Sequence, residues 1–281
     1  MGDSGKEITH SMSTATPVGR VVTADSAGST TEPAFVARLR SATPWWVLPV
    51  TVVVVLTAFS VYAAFTALQG FGLHPAYTGE AHGAPLLSPF YSPRVLVGRT
   101  PISPALWIIW SPLAFRATCY YYRKAYYRSF FWDPPGCAIN ERRHRTYRGE
   151  AKLPLVLNNL HRFFLYVALI VLAWLWVDAV QAFSYNGHPY LGLGTAIMLL
   201  NVVLLSGYTF SCHSLRHLVG GRIDCFSCVR FGKARHSAFR FLTSINGRHP
   251  TWAWVSLFSV LSVDIYVRIV NAGFGDPHIP F

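Results

Sequence analysis

Residues 191 to 217 read LGLGTAIMLLNVVLLSGYTFSCHSLRH and join a long apolar run directly to a cluster of polar residues. The apolar part, Leu191 to Phe210, contains no charged residue, and a helix needs about 20 such residues to cross a bilayer. Cys212, His213 and His217 follow at its end. Cysteine and histidine are soft or borderline metal ligands, and at a membrane boundary they indicate redox chemistry or a metal site.

The composition is that of an integral membrane protein. Hydrophobic residues make up 52% of the 281 residues and charged residues only 13%, whereas soluble domains carry about 25% charged residues. The chain is therefore long enough for one membrane domain, but too short for a membrane domain and a soluble enzyme domain together.

The hydropathy pattern predicts an all-α membrane protein whose five transmembrane helices form an up-down bundle. The predicted spans are residues 45–68, 102–122, 158–183, 191–213 and 251–270. Together they define a membrane domain of residues 44–272. Residues 1–43 are rich in Ser, Thr, Gly and Ala, and predict a flexible cytoplasmic tail. Residues 273–281 predict a short external tail.

Lysine and arginine are distributed unevenly between the predicted loops. Residues 123–155 contain eight of them and residues 212–250 seven, whereas residues 69–101 contain two and residues 184–190 none. Because cytoplasmic loops are enriched in Lys and Arg, we expect a multi-pass plasma-membrane protein with its N-terminus in the cytoplasm and its C-terminus outside. This asymmetry accounts for most of the net charge of +12. It leaves room for an acidic or phospholipid partner and requires no nucleic acid.

The predicted topology places a set of cysteines and histidines at the cytoplasmic ends of the spans. The set consists of Cys119, His161, Cys212, His213, His217 and His249. His213 and His217 are four residues apart and would share one helix face. The same holds for a second group, Arg116, Cys119, Tyr120 and Arg123. Ionisable groups inside a span usually serve a function, although each residue taken singly is equally typical of packing or of the membrane interface.

The remaining cysteines and two aspartates give weaker signals. Cys225-x-x-Cys228 would suit a zinc site or a thiol pair, but it lies in a polar loop beyond the predicted bilayer edge. Five cysteines, all on the predicted cytoplasmic side, argue against a disulfide set and for a reducing compartment. Asp178 and Asp264 lie in the outer halves of their spans. A proton route and a structural ion pair both fit, and the spacing of Asp264 and Arg268 favours the ion pair.

Several motifs resemble the membrane anchor of actinobacterial succinate dehydrogenase, over roughly residues 40–272. They are Cys119-Tyr-Tyr-Tyr-Arg-Lys-Ala-Tyr-Tyr-Arg128, Pro134-Pro135-Gly-Cys137, Asn159-Leu160-His161-Arg162 and Cys212-His-Ser-Leu-Arg-His-Leu218. The resemblance implies a complex in which a flavoprotein oxidises succinate and an iron–sulfur subunit relays the electrons. The anchor then supplies the quinone site, and the succinate site belongs to a partner subunit.

The resemblance also implies a cofactor and a substrate for this chain. The branch it resembles is associated with a Rieske-like two-iron cluster, which needs two cysteines and two histidines. The implied ligands are Cys119 and Cys212 with two of His161, His213, His217 and His249, and Cys137 is a reserve cysteine. A menaquinone would be bound by donors or walls among Tyr120, Tyr121, Arg123, Trp132 and Arg216.

Three other functions fit parts of the pattern. A haem b-type cytochrome anchor would use pairs among the same histidines, but the spans lack the mid-membrane histidine pairs that such anchors carry. A small transporter or channel without a cofactor would have no need of Cys119 and Cys212. The sequence has no internal repeat, which counts against a transporter. A membrane thiol oxidase would need its cysteines on the outer face.

Overall fold

The computed structural model describes residues 43–69, 83–93, 104–130, 155–221 and 223–279, and the part it describes is almost entirely helical. Its α-helices are α1 (Val47–Gln69), α2 (Pro104–Ile108), α3 (Trp110–Thr118), α4 (Tyr120–Phe130), α5 (His161–Gln181), α6 (Leu193–Phe210), α7 (His213–Gly220), α8 (Gly232–Asn246) and α9 (His249–Ile269). Short 3₁₀ turns cover Pro89–Tyr91, Leu155–Leu160 and Phe226–Cys228, and a π-turn over Val270–Phe274 extends α9.

Four helices are long and apolar enough to cross a membrane. They cover Val47–Leu68, Val156–Gln181, Leu193–Phe210 and His249–Phe274. These segments coincide with four of the five predicted spans, so the prediction of a helical membrane protein is confirmed at this level. The predicted tail of residues 1–43 and the basic loop after residue 130 lie almost wholly outside the described residues.

The segment predicted as the second span is divided into three successive helices, and its first division has a local cause. Pro112 has no N–H to donate to the carbonyl of Ile108, and the helix is interrupted at Ile109. Ile109 N still donates to Ala105 O over 2.8 Å, and Leu113 N donates to Ile109 O over 3.1 Å. The chain therefore keeps its direction through this break.

The second division turns the chain at a cysteine. Cys119 separates α3 from α4 with extended backbone angles of φ −62° and ψ 130°. Cys212 separates α6 from α7 in nearly the same conformation, φ −63° and ψ 132°. The two predicted helix ends are thus corners, and each corner holds a buried cysteine. We call the end of the bundle with Cys119 and Cys212 the cysteine end.

The opposite end of the bundle is closed by residues 83–93, part of a loop that the sequence predicts to be external. We call it the aspartate end, because the segment is held there by the buried carboxylates of Asp178 and Asp264. Ser92 Oγ donates to Asp178 over 2.5 Å, and Ser88 Oγ donates to Asp264. Arg268 Nε pairs with Asp264 at 2.7 Å, which confirms the ion pair favoured by the sequence.

Two small antiparallel ladders complete the aspartate end. The strands are β1 (Ser184–Tyr185), β2 (His188–Pro189), β3 (Leu191–Gly192) and β4 (His278–Ile279). β1 pairs with β2, and β3 pairs with β4. Asp276, just before β4, accepts hydrogen bonds from Gly194 N at 2.9 Å and from Tyr190 Oη at 2.6 Å. Burial and this carboxylate raise the pKa of Tyr190. The segment after α9 is thereby fixed to the start of α6.

Candidate functional site

Two cysteines and two histidines from different elements meet at the cysteine end. His161 begins α5, and its Nε2 lies 3.2 Å from the sulfur of Cys212. His249 begins α9, and its Nε2 lies 3.4 Å from the sulfur of Cys119. All four residues are buried. Cys119 and Cys212 belong to one buried cluster of side chains. The rings of Phe115 and Tyr208 connect His161 to His249, so the two pairs form one site.

Two hydroxyl groups contact these imidazoles at Nδ1. Thr118 Oγ1 lies 3.0 Å from His161 Nδ1, and Ser211 Oγ lies 2.7 Å from His249 Nδ1. Each hydroxyl also lies within hydrogen-bond distance of a backbone carbonyl of its own helix, 2.7 Å for Thr118 and 3.0 Å for Ser211. A hydroxyl that donates its single hydrogen to this carbonyl accepts a hydrogen bond from the imidazole Nδ1. In that tautomer both Nε2 atoms are unprotonated, and each faces a sulfur.

Two cysteine sulfurs and two imidazole nitrogens are donor types found both in mononuclear zinc sites and in two-iron Rieske centres. Among the residues that the structure describes, no three His, Cys, Asp or Glu side chains converge as the ligands of one ion would. The sulfur and nitrogen atoms of each pair are in direct contact, so a metal centre would have to separate them. Two thiols and two imidazoles, each with its second nitrogen held by a hydrogen bond, match the ligand types of a Rieske-type centre.

Aromatic rings hold both histidines in place. Phe115 stacks on His161 with ring centroids 4.7 Å apart and planes 4° from parallel. Tyr208 stacks on His249 with centroids 5.1 Å apart and planes at 21°. Stacking on one face and a hydrogen bond at Nδ1 restrain both rings, so the Nε2 atoms have defined positions.

A cation lies beside this cluster within the bundle. The guanidinium of Arg116 sits 4.5 Å from the centroid of the Tyr208 ring. It donates to Tyr122 Oη at 2.6 Å, to Ala253 O at 2.9 Å and to Ser256 Oγ at 2.9 Å. An arginine inside a membrane domain is costly unless it is paired in this way, and it usually marks a functional site.

An apolar groove leads to Arg116 from the outside of the bundle. Two adjoining cavities of about 400 Å³ and about 510 Å³ form it, and both are lined by Phe59, Ser60, Leu113 and Arg116. The larger cavity also reaches Tyr122 and Tyr126 at the cysteine end. The smaller one continues along α1 to Leu68 at the aspartate end. This long apolar channel with polar groups at one end has the form of a site for a ligand with an apolar tail.

The other two predicted metal ligands lie outside the cluster. His213 is exposed at the start of α7. Its pKa is lowered by partial burial and by the neighbouring Arg216 and His217. His217 lies one turn further on, where its Nδ1 is 3.4 Å from a guanidinium nitrogen of Arg162. Because the corner at Cys212 ends α6 before these residues, they follow a different helix axis.

The four predicted quinone residues that the structure describes do not line the groove. Tyr120 is 61% exposed, with Arg123 over its ring at 5.1 Å. Tyr121 Oη accepts a hydrogen bond from Trp254 Nε1 at 2.7 Å, and its ring meets His249 edge-on. The guanidinium of Arg216 lies 5.4 Å from the centroid of the Phe239 ring in α8. The other predicted residues, Trp132 and the reserve ligand Cys137, lie outside the described residues.

Sequence reasoning missed three residues that the geometry brings into the site. Thr118 and Ser211 direct the imidazoles, and Tyr122 joins Arg116 at the end of the groove. The sequence contains a signal that could have identified the two hydroxyl residues. Each immediately precedes one of the two buried cysteines, and a small hydroxyl residue at a helix end often bonds to a neighbouring polar group.

The loop between α7 and α8 contains a further cysteine pair. Cys225 and Cys228 are joined in a disulfide, whereas the sequence favoured thiols. Cys119 and Cys212 are free. The disulfide closes a tight turn in this loop. The pair is therefore a different feature from the buried cysteines of the cluster.

Comparisons with known proteins identify the family of the chain. Residues 47–273 match the sequence family described as actinobacterial succinate dehydrogenase subunit SdhC. The chain is also similar to a chain of the solved Mycobacterium smegmatis Sdh1 complex in the apo form, with 35% identity and a TM-score of 0.74. That similarity covers 85% of this chain and 93% of the other. No curated protein sequence matches.

Proposed function

Because the chain belongs to the actinobacterial succinate dehydrogenase subunit SdhC family, we propose that it binds menaquinone and passes electrons to it through a Rieske-like two-iron cluster. The chain is the membrane subunit of a succinate dehydrogenase complex, a multi-pass protein whose partners are the flavoprotein and iron–sulfur subunits. The observation that carries the proposal is the buried cluster of Cys119, Cys212, His161 and His249.

The proposed ligands are the two cysteines and the two histidines of the cluster. Two cysteines on one iron and two histidines on the other satisfy a Rieske-type centre. In the tautomer that donates from Nδ1 to Thr118 and Ser211, Nε2 of both rings is available to bind a metal. When bound, such a centre accepts and releases one electron at a time. The sequence left four histidines as possible ligands. The proposal selects two of them, His161 and His249.

The apolar groove is the proposed quinone site. Its length and apolar lining suit an isoprenoid tail, and Arg116 and Tyr122 stand where the headgroup would lie. Arg116 would polarise a quinone oxygen, and Tyr122 would orient it by a hydrogen bond. Both residues are within the aromatic surroundings of His249 through Tyr208, so the headgroup would be next to the proposed centre. Quinone reduction takes up two protons, which can enter at the cysteine end.

We also propose that the membrane domain has five crossings, with the N-terminus in the cytoplasm and the C-terminus outside. The support comes from the two ends of the divided segment α2–α3. Ala105 belongs to the same buried cluster as Ala67 and Tyr91 at the aspartate end. Cys119 belongs to the same buried cluster as Cys212 and Ala253 at the cysteine end. These positions support a fifth crossing made by the divided segment, although no single helix in it is long enough to span.

The proposed centre is tested on the purified intact complex by low-temperature EPR with iron and sulfide analysis. We expect a Rieske-type signal that disappears in Cys119→Ser and in Cys212→Ser. The double variant Cys225→Ser/Cys228→Ser is the matched control, because it removes two cysteines outside the cluster, and it should keep the signal.

Two results would contradict the proposal. One is an active complex that lacks the Rieske-type signal and the corresponding iron. The other is a sharp reduced α-band of haem b in stoichiometric amount, which would favour the cytochrome anchor instead.

A further inference from the structure

The disulfide between Cys225 and Cys228 closes a tight turn of the backbone. The turn runs from Cys225 to Gly232, where α8 begins. Cys228 N donates to Cys225 O at 3.3 Å, and Gly232 N donates to Val229 O at 3.1 Å. A Cβ on Gly232 would lie 1.6 Å from the carbonyl oxygen of Phe226. Only glycine fits this position, so the chain is tightly folded on itself.

Phe231 lies in this turn in an unfavourable conformation. Its φ of 59° is in the left-handed region, where a bulky side chain is rare and costly. Its side chain is also 70% exposed, and the guanidinium of Arg230 lies 5.1 Å from the centroid of its ring. Packing of the ring therefore does not explain why this conformation persists. The Phe231 carbonyl accepts a hydrogen bond from Arg235 N at 3.0 Å, and the covalent link between Cys225 and Cys228 closes the same turn.

The two sulfurs differ in ways that favour exchange with an external thiol. Cys228 is exposed, whereas Cys225 is half-buried. Ser227 Oγ lies 3.2 Å from the sulfur of Cys225 and can donate to a thiolate formed there. The basic loop that contains the pair is predicted to face the cytoplasm. In that compartment disulfides are rare, and those that form are usually transient and redox-sensing.

We propose that Cys225–Cys228 is a reversible thiol–disulfide exchange site that fixes the Phe231 turn when oxidised and releases it when reduced. The reductant is a dithiol. Its thiolate attacks the exposed Cys228 sulfur and displaces the Cys225 thiolate, which takes up a proton. The second thiol of the reductant then attacks the mixed disulfide and frees Cys228. Two electrons and two protons pass to the protein, and the reductant becomes a cyclic disulfide.

The test uses the intact complex equilibrated with set ratios of reduced and oxidised dithiothreitol. Free thiols are trapped with N-ethylmaleimide, and the peptide containing both cysteines is quantified by mass spectrometry. Parallel samples receive a brief chymotrypsin pulse. We expect one two-electron transition and, across it, a rise of about tenfold in cleavage after Phe231, because the loop-closing restraint is lost. Cleavage after Phe241, an exposed residue inside α8, is the internal control and should not change.

The variant Cys228→Ser separates the redox state from other effects of the buffer. It should be cleaved after Phe231 at the fast rate under all conditions, while the EPR signal of the complex stays unchanged. Two outcomes would overturn the inference. In one, the pair resists reduction while the complex is folded. In the other, it is reduced but cleavage after Phe231 stays the same.

Discussion

Thr118 and Ser211 show how two small side chains can prepare a pair of histidines for metal binding. A hydroxyl that donates to the carbonyl of its own helix accepts a hydrogen bond from an imidazole Nδ1. This tautomer presents the Nε2 lone pair to a metal, whereas the tautomer with its proton on Nε2 presents none at that atom. Each hydroxyl residue directly precedes a cysteine corner. The same backbone turn therefore places both a cysteine and the hydroxyl that contacts a histidine.

This role predicts a specific effect of Ser211→Ala. The substitution removes the acceptor for His249 Nδ1 while it leaves His249 and Cys119 in place. Loss of such an outer-shell partner typically lowers metal affinity by about 10- to 100-fold. We expect the iron content and the EPR signal of the purified complex to fall when it is challenged with a chelator.

The matched control for this experiment is Ser262→Ala. Ser262 is an exposed serine of α9 whose hydroxyl donates only to the backbone carbonyl of Phe258. It should retain the iron of the parent protein under the same chelator challenge. Equal loss from both variants would mean that Ser211 does not position His249.

The residue scale also shows what the sequence could and could not predict. Cys119, Cys212, His161 and His249 were all among the predicted ligands. The spacing of His213 and His217 on one helix face made them equally attractive, however. The corner at Cys212 separates them from the buried pairs, and a corner of this kind is set by packing between helices. Sequence spacing alone assumes a continuous helix and cannot detect it.

At the scale of elements, the break between α2 and α3 helps to shape the groove. Ile109 and Pro112, at this break, line the smaller cavity, and Leu113 lines both cavities. Pro112 lies in the middle of the predicted span, where a proline indicates a kink or a break, but a hydropathy pattern does not register it. The hydropathy of residues 102–122 was therefore interpreted as one span, whereas the structure has three helices there.

The groove predicts that Leu113→Trp weakens quinone binding. The larger side chain would fill the passage between α1 and α3 without touching the cysteines or histidines. A change of this size in an apolar pocket is worth a factor of about 10 or more. We expect the KM for a menaquinone analogue to rise about tenfold in succinate:quinone reductase assays, with kcat much less affected.

Leu200→Trp is the control for the groove. Leu200 is 56% exposed on α6 and lines neither cavity, so the same substitution there should leave the KM unchanged. Similar KM values for the two variants would place the quinone elsewhere.

On the scale of the whole molecule, the bundle has two ends of different chemistry. The described cysteines, the two histidines of the cluster and most of the described Lys and Arg residues lie at or beyond the cysteine end, and the carboxylates of Asp178 and Asp264 hold the aspartate end. The positive-inside pattern of the sequence predicts which end faces the cytoplasm. The sequence pattern could not predict the contacts of residues 83–93, because the serine–carboxylate pairs are 86 and 176 residues apart and leave no local pattern.

The five-crossing topology makes a prediction that separates it from a four-crossing one. Single cysteines at the exposed positions Thr43, Ser237 and Phe274 are probed in cells with a membrane-impermeant maleimide, as labelling in excess of the parent chain. Five crossings place four spans between Thr43 and Ser237, so both should be labelled only after permeabilisation. Phe274→Cys, beyond α9, should be labelled in intact cells. If the divided segment α2–α3 did not cross, three spans would separate Thr43 from Ser237. These three crossings would place Thr43 and Ser237 on opposite sides. Four crossings would separate Thr43 from Phe274, so Thr43→Cys would then be labelled in intact cells together with Phe274→Cys.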